Sequence, residues 1–150
     1  MVHDKTMREL VFALEFRGEA AALPDGTRQA RTTATSQTLS TMLKADGVHA
    51  RTDAGGGEAA VLDARVQRFG DGTFVEHGTI TYGAAGIVTF ETIGRGWVET
   101  GARGSAGAVA WRVIGGDGVF TGATGLITSN FTVSADGDVV DNHFARLYLR

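Results

Sequence analysis

The chain has 150 residues, 43% of them hydrophobic, with 17 acidic and 14 basic side chains and a net charge of −3. A chain of that length buries a core without staples, and the lack of cysteine excludes disulfides, thiolate metal sites and a cysteine nucleophile. Its arginines are scattered, which is not the clustered positive field that nucleic acid requires. No apolar run approaches the roughly 18–20 residues of a membrane helix. Met1 to Glu9 is polar, with no apolar stretch before a cleavage site. The expectation is one domain over residues 1–150, cytoplasmic, with neither nucleic acid nor membrane as a partner.

In chain order, Leu10, Phe12, Leu14 and Phe16 alternate with Val11, Ala13, Glu15 and Arg17, which predicts a strand with an aromatic-rich inward face. Leu23-Pro24-Asp25-Gly26 is a turn by composition. Arg28 to Leu43 is rich in threonine and serine, poor formers of helix interiors, and reads as one long, partly exposed strand. Asp46-Gly47 offers a hairpin. Gly55-Gly56-Gly57 is a loop, since its faint echo of a dinucleotide fingerprint has no strand entering it and no helix leaving it. Ala60 to Arg68 alternates, Asp71-Gly72 turns the chain, and Phe74, Glu76, Gly78, Ile80 and Tyr82 then share one face. Gly83 to Gly86 turns into a strand over 87–93, and Gly94 and Gly96 lead to Trp97, Val98 and Glu99.

The most informative stretch runs from Trp111 to Phe131, WRVIGGDGVFTGATGLITSNF. Val109, Trp111 and Val113 face one way and Arg112 the other; Ile127, Ser129, Phe131 and Val133 repeat the pattern. Between them lies a glycine-rich connection with one large apolar side chain, Phe120, read as a plug against the end of a sheet. Asp136-Gly137 is the last hairpin, followed by a strand over 139–149. About eight to ten strands, frequent turn signals and no long amphipathic helix predict an all-β chain. A sheet of that size removes its edges by closing, so a single antiparallel β-barrel is expected, with a two-sheet sandwich as the alternative.

GDGTF at 70–74, HGTITY at 77–82 and IGGDGVFTGATGLITSNF at 114–131 resemble the allene oxide cyclase-like family of lipocalin-like β-barrels. The resemblance covers the chain from about Gly70 onward. It implies a barrel with a glycine–phenylalanine–glycine segment between two strands near the C-terminal end. For chemistry it implies less, because glycines and one phenylalanine encode shape. The cyclase's catalytic residues do not align onto this sequence residue by residue.

Nucleophile-elbow, zincin and P-loop signatures are absent from the sequence. Asp136, Asp138 and Asp141 fail calcium-loop spacing, because Val140 and Asp141 fall where a ligand and a glycine are needed. His3, His49, His77 and His143 are far apart, so no metal site is expected. What remains is polar groups among apolar ones on faces expected to turn inward. Glu76 lies with Phe74, Ile80 and Tyr82; Glu99 lies with Trp97; His143 lies with Asp141, Val139, Ala145 and Leu147. Glu91 is ambiguous. A carboxyl group buried in an apolar barrel has a raised pKa and can serve as acid or base near neutrality. The plainer reading competes at each position: strand glutamates more often face solvent or pair with an arginine such as Arg65, Arg112 or Arg146, and a buried histidine is more often structural.

The resemblance, together with the absence of nucleophile and metal motifs, implies a cofactor-independent cyclase or isomerase, working on a hydrophobic, polyfunctional small molecule inside the barrel, in specialised metabolism. Its catalytic candidates are Glu76, Glu99, Tyr82 and His143. Phe12, Phe16, Trp97, Trp111 and Phe131 are the ligand-binding candidates, with Glu76, Tyr82 and Trp97 expected to reach one cavity. A lipocalin-like carrier of an apolar small molecule is the alternative, and a barrel filled by its own side chains is the third reading. A homo-oligomer is left open.

Overall fold

A computed structural model describes residues 7–150. His3 and the polar segment before Met7 lie outside them. Eleven strands follow in order: β1 (Arg8–Ala22), β2 (Arg28–Ala34), β3 (Gln37–Lys44), β4 (Gly47–Ala54), β5 (Ala60–Arg68), β6 (Thr73–Tyr82), β7 (Ile87–Thr92), β8 (Gly96–Gly101), β9 (Gly104–Gly116), β10 (Thr124–Val133) and β11 (Asp138–Leu149). All pairings are antiparallel. Eight strands close on themselves in the order β1-β2-β5-β6-β7-β9-β10-β11, with β8 as one extra strand. The barrel, not the sandwich, is the solution, and no edge of the closed wall is left for another strand.

The extra strand has a simple origin. β7 pairs with β9 from Val88↔Gly116 to Thr92↔Trp111, and β8 resumes at Trp97↔Ala108 in the same direction. β7 and β8 are therefore one wall position, interrupted at residues 93–95. Where the ladder opens, Thr92 substitutes for it: its Oγ1 accepts from the Glu76 N–H at 2.7 Å and donates to the Glu76 carbonyl at 2.6 Å. Main-chain groups on a buried strand need partners, and one β-branched hydroxyl provides both.

The expected single strand over 28–43 is instead two. β2 stays in the barrel wall, while β3 pairs with β4 in a separate hairpin whose residues, apart from Gln37, are exposed. Alternation explains the split. Ala30, Thr32 and Ala34 carry small inward side chains, whereas Leu39, Met42 and Leu43 follow no period-2 pattern that a barrel interior accepts. Gln37 ties the hairpin back to β1, accepting from the Glu15 N–H at 2.6 Å.

The core follows the in–out alternation of each wall strand. Trp111, Phe16, Phe90, Ile127 and Leu147 form its fully buried centre, and Trp111 stacks on Phe90 at 4.1 Å between centroids. Arg112 points outward to Glu91 at 3.6 Å, which places Glu91 outside the barrel. Phe120, 5% exposed, ends a short 3₁₀ turn in the β9–β10 connection and packs against Tyr82 at 5.4 Å. Gly118 makes this plug possible: its φ of +58° lies in the left-handed region, and a Cβ there would collide with the Ala85 carbonyl. Phe120, Tyr82, Phe12, Leu147 and Leu149 seal that end of the barrel.

Candidate functional site

The other end is not filled. The inner face of β1 shrinks to Gly18 and Ala20, and that of β2 to Ala30 and Thr32. A half-open cavity of ≈ 60 Å³ remains there, walled by Leu62, Val66, Phe74, Val98, Phe131 and Val139. That is space for a few water-sized groups or a small apolar moiety. Into this apolar chamber project Glu76, Asp141, Ser129 and Thr32, with Arg28 and Arg68 also on its wall.

Register explains why these groups meet. On β11, Asp141 and His143 occupy successive inward positions between Val139 and Ala145. Ser129 of β10 pairs directly with His143, and Phe131 with Asp141. Asp141 consequently bridges its neighbours: Ser129 Oγ donates to Oδ1 at 2.6 Å, and His143 Nε2 lies 2.8 Å from Oδ2. His143 is held beneath the cavity between Phe16, 4.3 Å between centroids, and the edge of Trp111 at 5.0 Å. Among the described residues its Nδ1 has no hydrogen-bond partner, nor does Thr32 Oγ1 on the cavity wall.

The order of contacts is not that of a nucleophile triad. In such a triad the imidazole accepts the serine proton, whereas here Ser129 donates to the carboxylate. The frame instead fixes Asp141 as an acceptor satisfied on both oxygens. Glu76 is its opposite. It enters from β6, is 8% exposed, and among the described residues no group hydrogen-bonds its carboxyl. Burial, reinforced by the Asp141 charge, pushes the Glu76 carboxyl up to about 8. Two carboxyl groups share one chamber, one hydrogen-bonded twice and one desolvated, which is how a protein separates an acid–base group from its electrostatic partner.

Of the residues singled out from sequence, Glu76 and Phe131 line this chamber, and His143 lies beneath it, reaching it only through Asp141. Trp111 and Phe16 belong to the packed layer behind His143. Phe12 and Tyr82 are at the sealed end, packed edge to face at 5.5 Å. Tyr82 stands six residues from Glu76 along β6, about 20 Å at strand rise, so the two share no cavity. Burial raises the Tyr82 phenol above its ordinary pKa, which suits a packed hydroxyl better than a proton donor.

Trp97 and Glu99 point away from the cavity, and both are corrections. Trp97 is 51% exposed and Glu99 is exposed, while Val98 between them faces the chamber. The same parity holds on both sides of the gap between β7 and β8, so the even positions Phe90, Gly96 and Val98 turn inward. There is also no room for an indole inside, because even a Cβ on Gly96 would meet the Phe74 ring and Val109.

Asp141, Ser129 and Thr32 escaped selection as individual candidates. Asp141 stood beside His143 in the pattern, but a serine between Ile127 and Phe131 carries no chemical signal until register places it beside a buried carboxylate. Among the described residues, no group of three or more His, Cys, Asp or Glu is placed to hold a metal ion, and no helix is long and apolar enough to cross a membrane. No known family, curated protein or solved structure matches this chain.

Proposed function

We propose that the barrel is an isomerase or cyclase that moves a proton on a small, largely apolar molecule, with Glu76 as the group that takes and returns it. One observation carries the reading: a carboxyl group poised at about 8, without a hydrogen bond, projects into an apolar chamber beside a second, fully bonded carboxylate. At neutral pH Glu76 is mainly protonated yet able to ionise, and its conjugate base is strong because water does not stabilise it. Thr32 Oγ1, without a hydrogen-bond partner among the described residues, is available at the wall to orient a carbonyl or hydroxyl on the bound molecule. Enclosure by Phe74, Phe131 and Leu62 would hold a flexible substrate in a reactive conformer. The likeness of the 114–131 segment to allene oxide cyclase-like barrels leads in the same direction. The cytoplasmic setting expected from the sequence belongs to the same proposal. A carrier would use the same cavity, but would not need a desolvated acid among its polar groups.

Isomerisation of cyclohex-3-en-1-one to its conjugated isomer tests this, since it needs one proton removed beside the carbonyl and one returned at the far end of the new enone. The protein should accelerate the ultraviolet absorbance change above the buffer rate, increasingly as pH rises through about 8, where Glu76 ionises. Glu76→Gln keeps the shape and should lower the rate by about a hundredfold. A wild-type rate equal to buffer, or a Gln variant as fast as wild type, would defeat the proton-transfer reading.

A further inference from the structure

The β3–β4 hairpin is a sheet of its own, with every residue but Gln37 exposed. Its register gives it two unlike faces. Leu39, Thr41 and Leu43 lie opposite Thr52, Ala50 and Val48, so one face has no charge. Lys44, His49, Arg51 and Asp53 all fall on the other. Leu43, 78% exposed, and Val48, 68%, pair at the hairpin tip. They are the most exposed large apolar side chains among the described residues. A two-stranded sheet with an apolar face in water is marginal, and further strands or a covering surface stabilise it. β3 is tethered to β1 by Gln37, which accepts from the Glu15 N–H and donates to its carbonyl. Among the described residues no strand pairs with the far edge of β4. That edge also lacks the devices that keep strand edges apart, since β4 has no proline, lysine or bulge.

We infer that β4 pairs antiparallel with β4 of a second copy about a two-fold axis centred on Thr52, joining the two hairpins into one four-stranded sheet. Residues opposite one another in such a ladder share a face. The axis must therefore pass through a residue for the two uncharged faces to become continuous. Three central positions are open to it. At Arg51, like charges would meet on the axis. At Ala50, His49 would face Arg51 of the second copy, and Asp53 would face Gly47. At Thr52, Arg51 of each copy faces Asp53 of the other, so two opposite-charge pairs form at once. Within one copy Arg51 Nη2 already lies 3.0 Å from Asp53 Oδ1, so the four charges alternate in sign around the axis. The same register sets Val48 opposite Gly56, where a Cβ would meet nothing within 4 Å and an apolar neighbour has room. Main-chain hydrogen bonds along the joined edges hold the pair together, as when an extended segment adds to a sheet. No residue of the hairpin belongs to the chamber, so this inference does not depend on the proposed function.

Sedimentation equilibrium of the full chain tests the pairing. Contact along one strand edge falls short of the roughly 1,200 Å² of a stable interface. The wild type should accordingly be a weak dimer that dissociates on dilution from about 1 mM to about 1 μM. R51D and D53R should each weaken association about tenfold, because like charges then face one another twice across the axis. An equimolar mixture of the two variants should recover wild-type association, since each supplies the sign the other lacks. Both variants should keep the wild-type amide spectrum of the barrel strands, so that recovery or its failure is read on folded chains. A wild type that stays monomeric at about 1 mM would overturn the self-pairing and leave the hairpin to a different partner. A dimer indifferent to R51D and D53R, or a mixture that associates no better than either variant alone, would place the contact elsewhere and overturn it equally.

Discussion

The two ends of the barrel are built from the same strands with the same alternation, yet one is sealed and the other half-open. β11 carries both outcomes: Leu147 and Leu149 are buried in the sealed end, while Asp141 lines the chamber and His143 lies just beneath it. β6 does the same, with Tyr82 against the Phe120 plug and Glu76 at the chamber. Alternation therefore decides only whether a residue faces inward. Side-chain volume decides what inward means. Large side chains converge with Phe120 at one end, and Gly18, Ala20 and Ala30 leave space at the other. A packed layer of Trp111, Phe90, Phe16 and His143 divides the two.

The contrast can be broken most forcefully in its packed parts. Trp111→Ala and Phe120→Ala should each lower unfolding stability by roughly 3–5 kcal/mol in urea denaturation, since both side chains are buried and their sites cannot collapse. Phe131→Ala at the open end should cost less than about 2 kcal/mol, because its ring is only partly buried beside existing space. Equal losses at Phe120 and Phe131 would mean that the ends do not differ in packing.

Protonation sharpens the same contrast. Glu76 titrates near 8 when folded and at its ordinary 4.5 when unfolded. Below 4.5 both states hold the proton, so the group has no effect on stability. Between 4.5 and about 8 the unfolded chain releases it first, so stability falls with rising pH, by at most about 1.4 kcal/mol per unit. Above about 8 the penalty is constant. Glu76→Gln should remove that slope, and unfolding curves of the two proteins across this range should diverge with the variant increasingly the more stable. Parallel curves would place Glu76 in water.

A smaller effect is expected at Ser129. Its hydroxyl supplies one of the two hydrogen bonds to Asp141, so Ser129→Ala should cost about 1–3 kcal/mol. Any value near zero at the melting midpoint would show that solvent replaces the serine.

The barrel was legible because strands, turns and the Phe120 plug are written locally. Alternation marks each strand, and Asp-Gly or glycine clusters mark each reversal. The burial of Trp111 and the outward turn of Arg112 follow from the same period. The chamber was legible only in part. Glu76 and His143 stand out as ionisable groups in apolar patterns, but their meeting depends on which strands become neighbours, and β6 and β11 lie on separate sides of the closed sheet. Ser129 and Asp141 become partners only through the β10–β11 register. The split of 28–43 into a wall strand and a hairpin was hidden because threonine and serine suit exposed and buried strands alike. Trp97 misleads for another reason: a large aromatic side chain on a strand suits an inward place by size, but parity turns it outward.

That last point gives the smallest effect and the cleanest separation of parity from size. Trp97 and Val98 are adjacent on β8, yet only Val98 lines the chamber. Trp97→Ala removes a far larger side chain, but one half in solvent, so its cost should stay near or below about 1 kcal/mol. The affinity for cyclohex-3-en-1-one should be unchanged, since the indole lies on the outer wall. Val98→Ala removes only two methyl groups, yet it widens the chamber beside Phe74 and Phe131 and should shift the dissociation constant of cyclohex-3-en-1-one. Measuring both variants in one titration series compares two neighbouring positions on opposite faces of a strand. If Trp97→Ala changed binding and Val98→Ala did not, the faces of β8 would be reversed, and the open end would be bounded by different side chains.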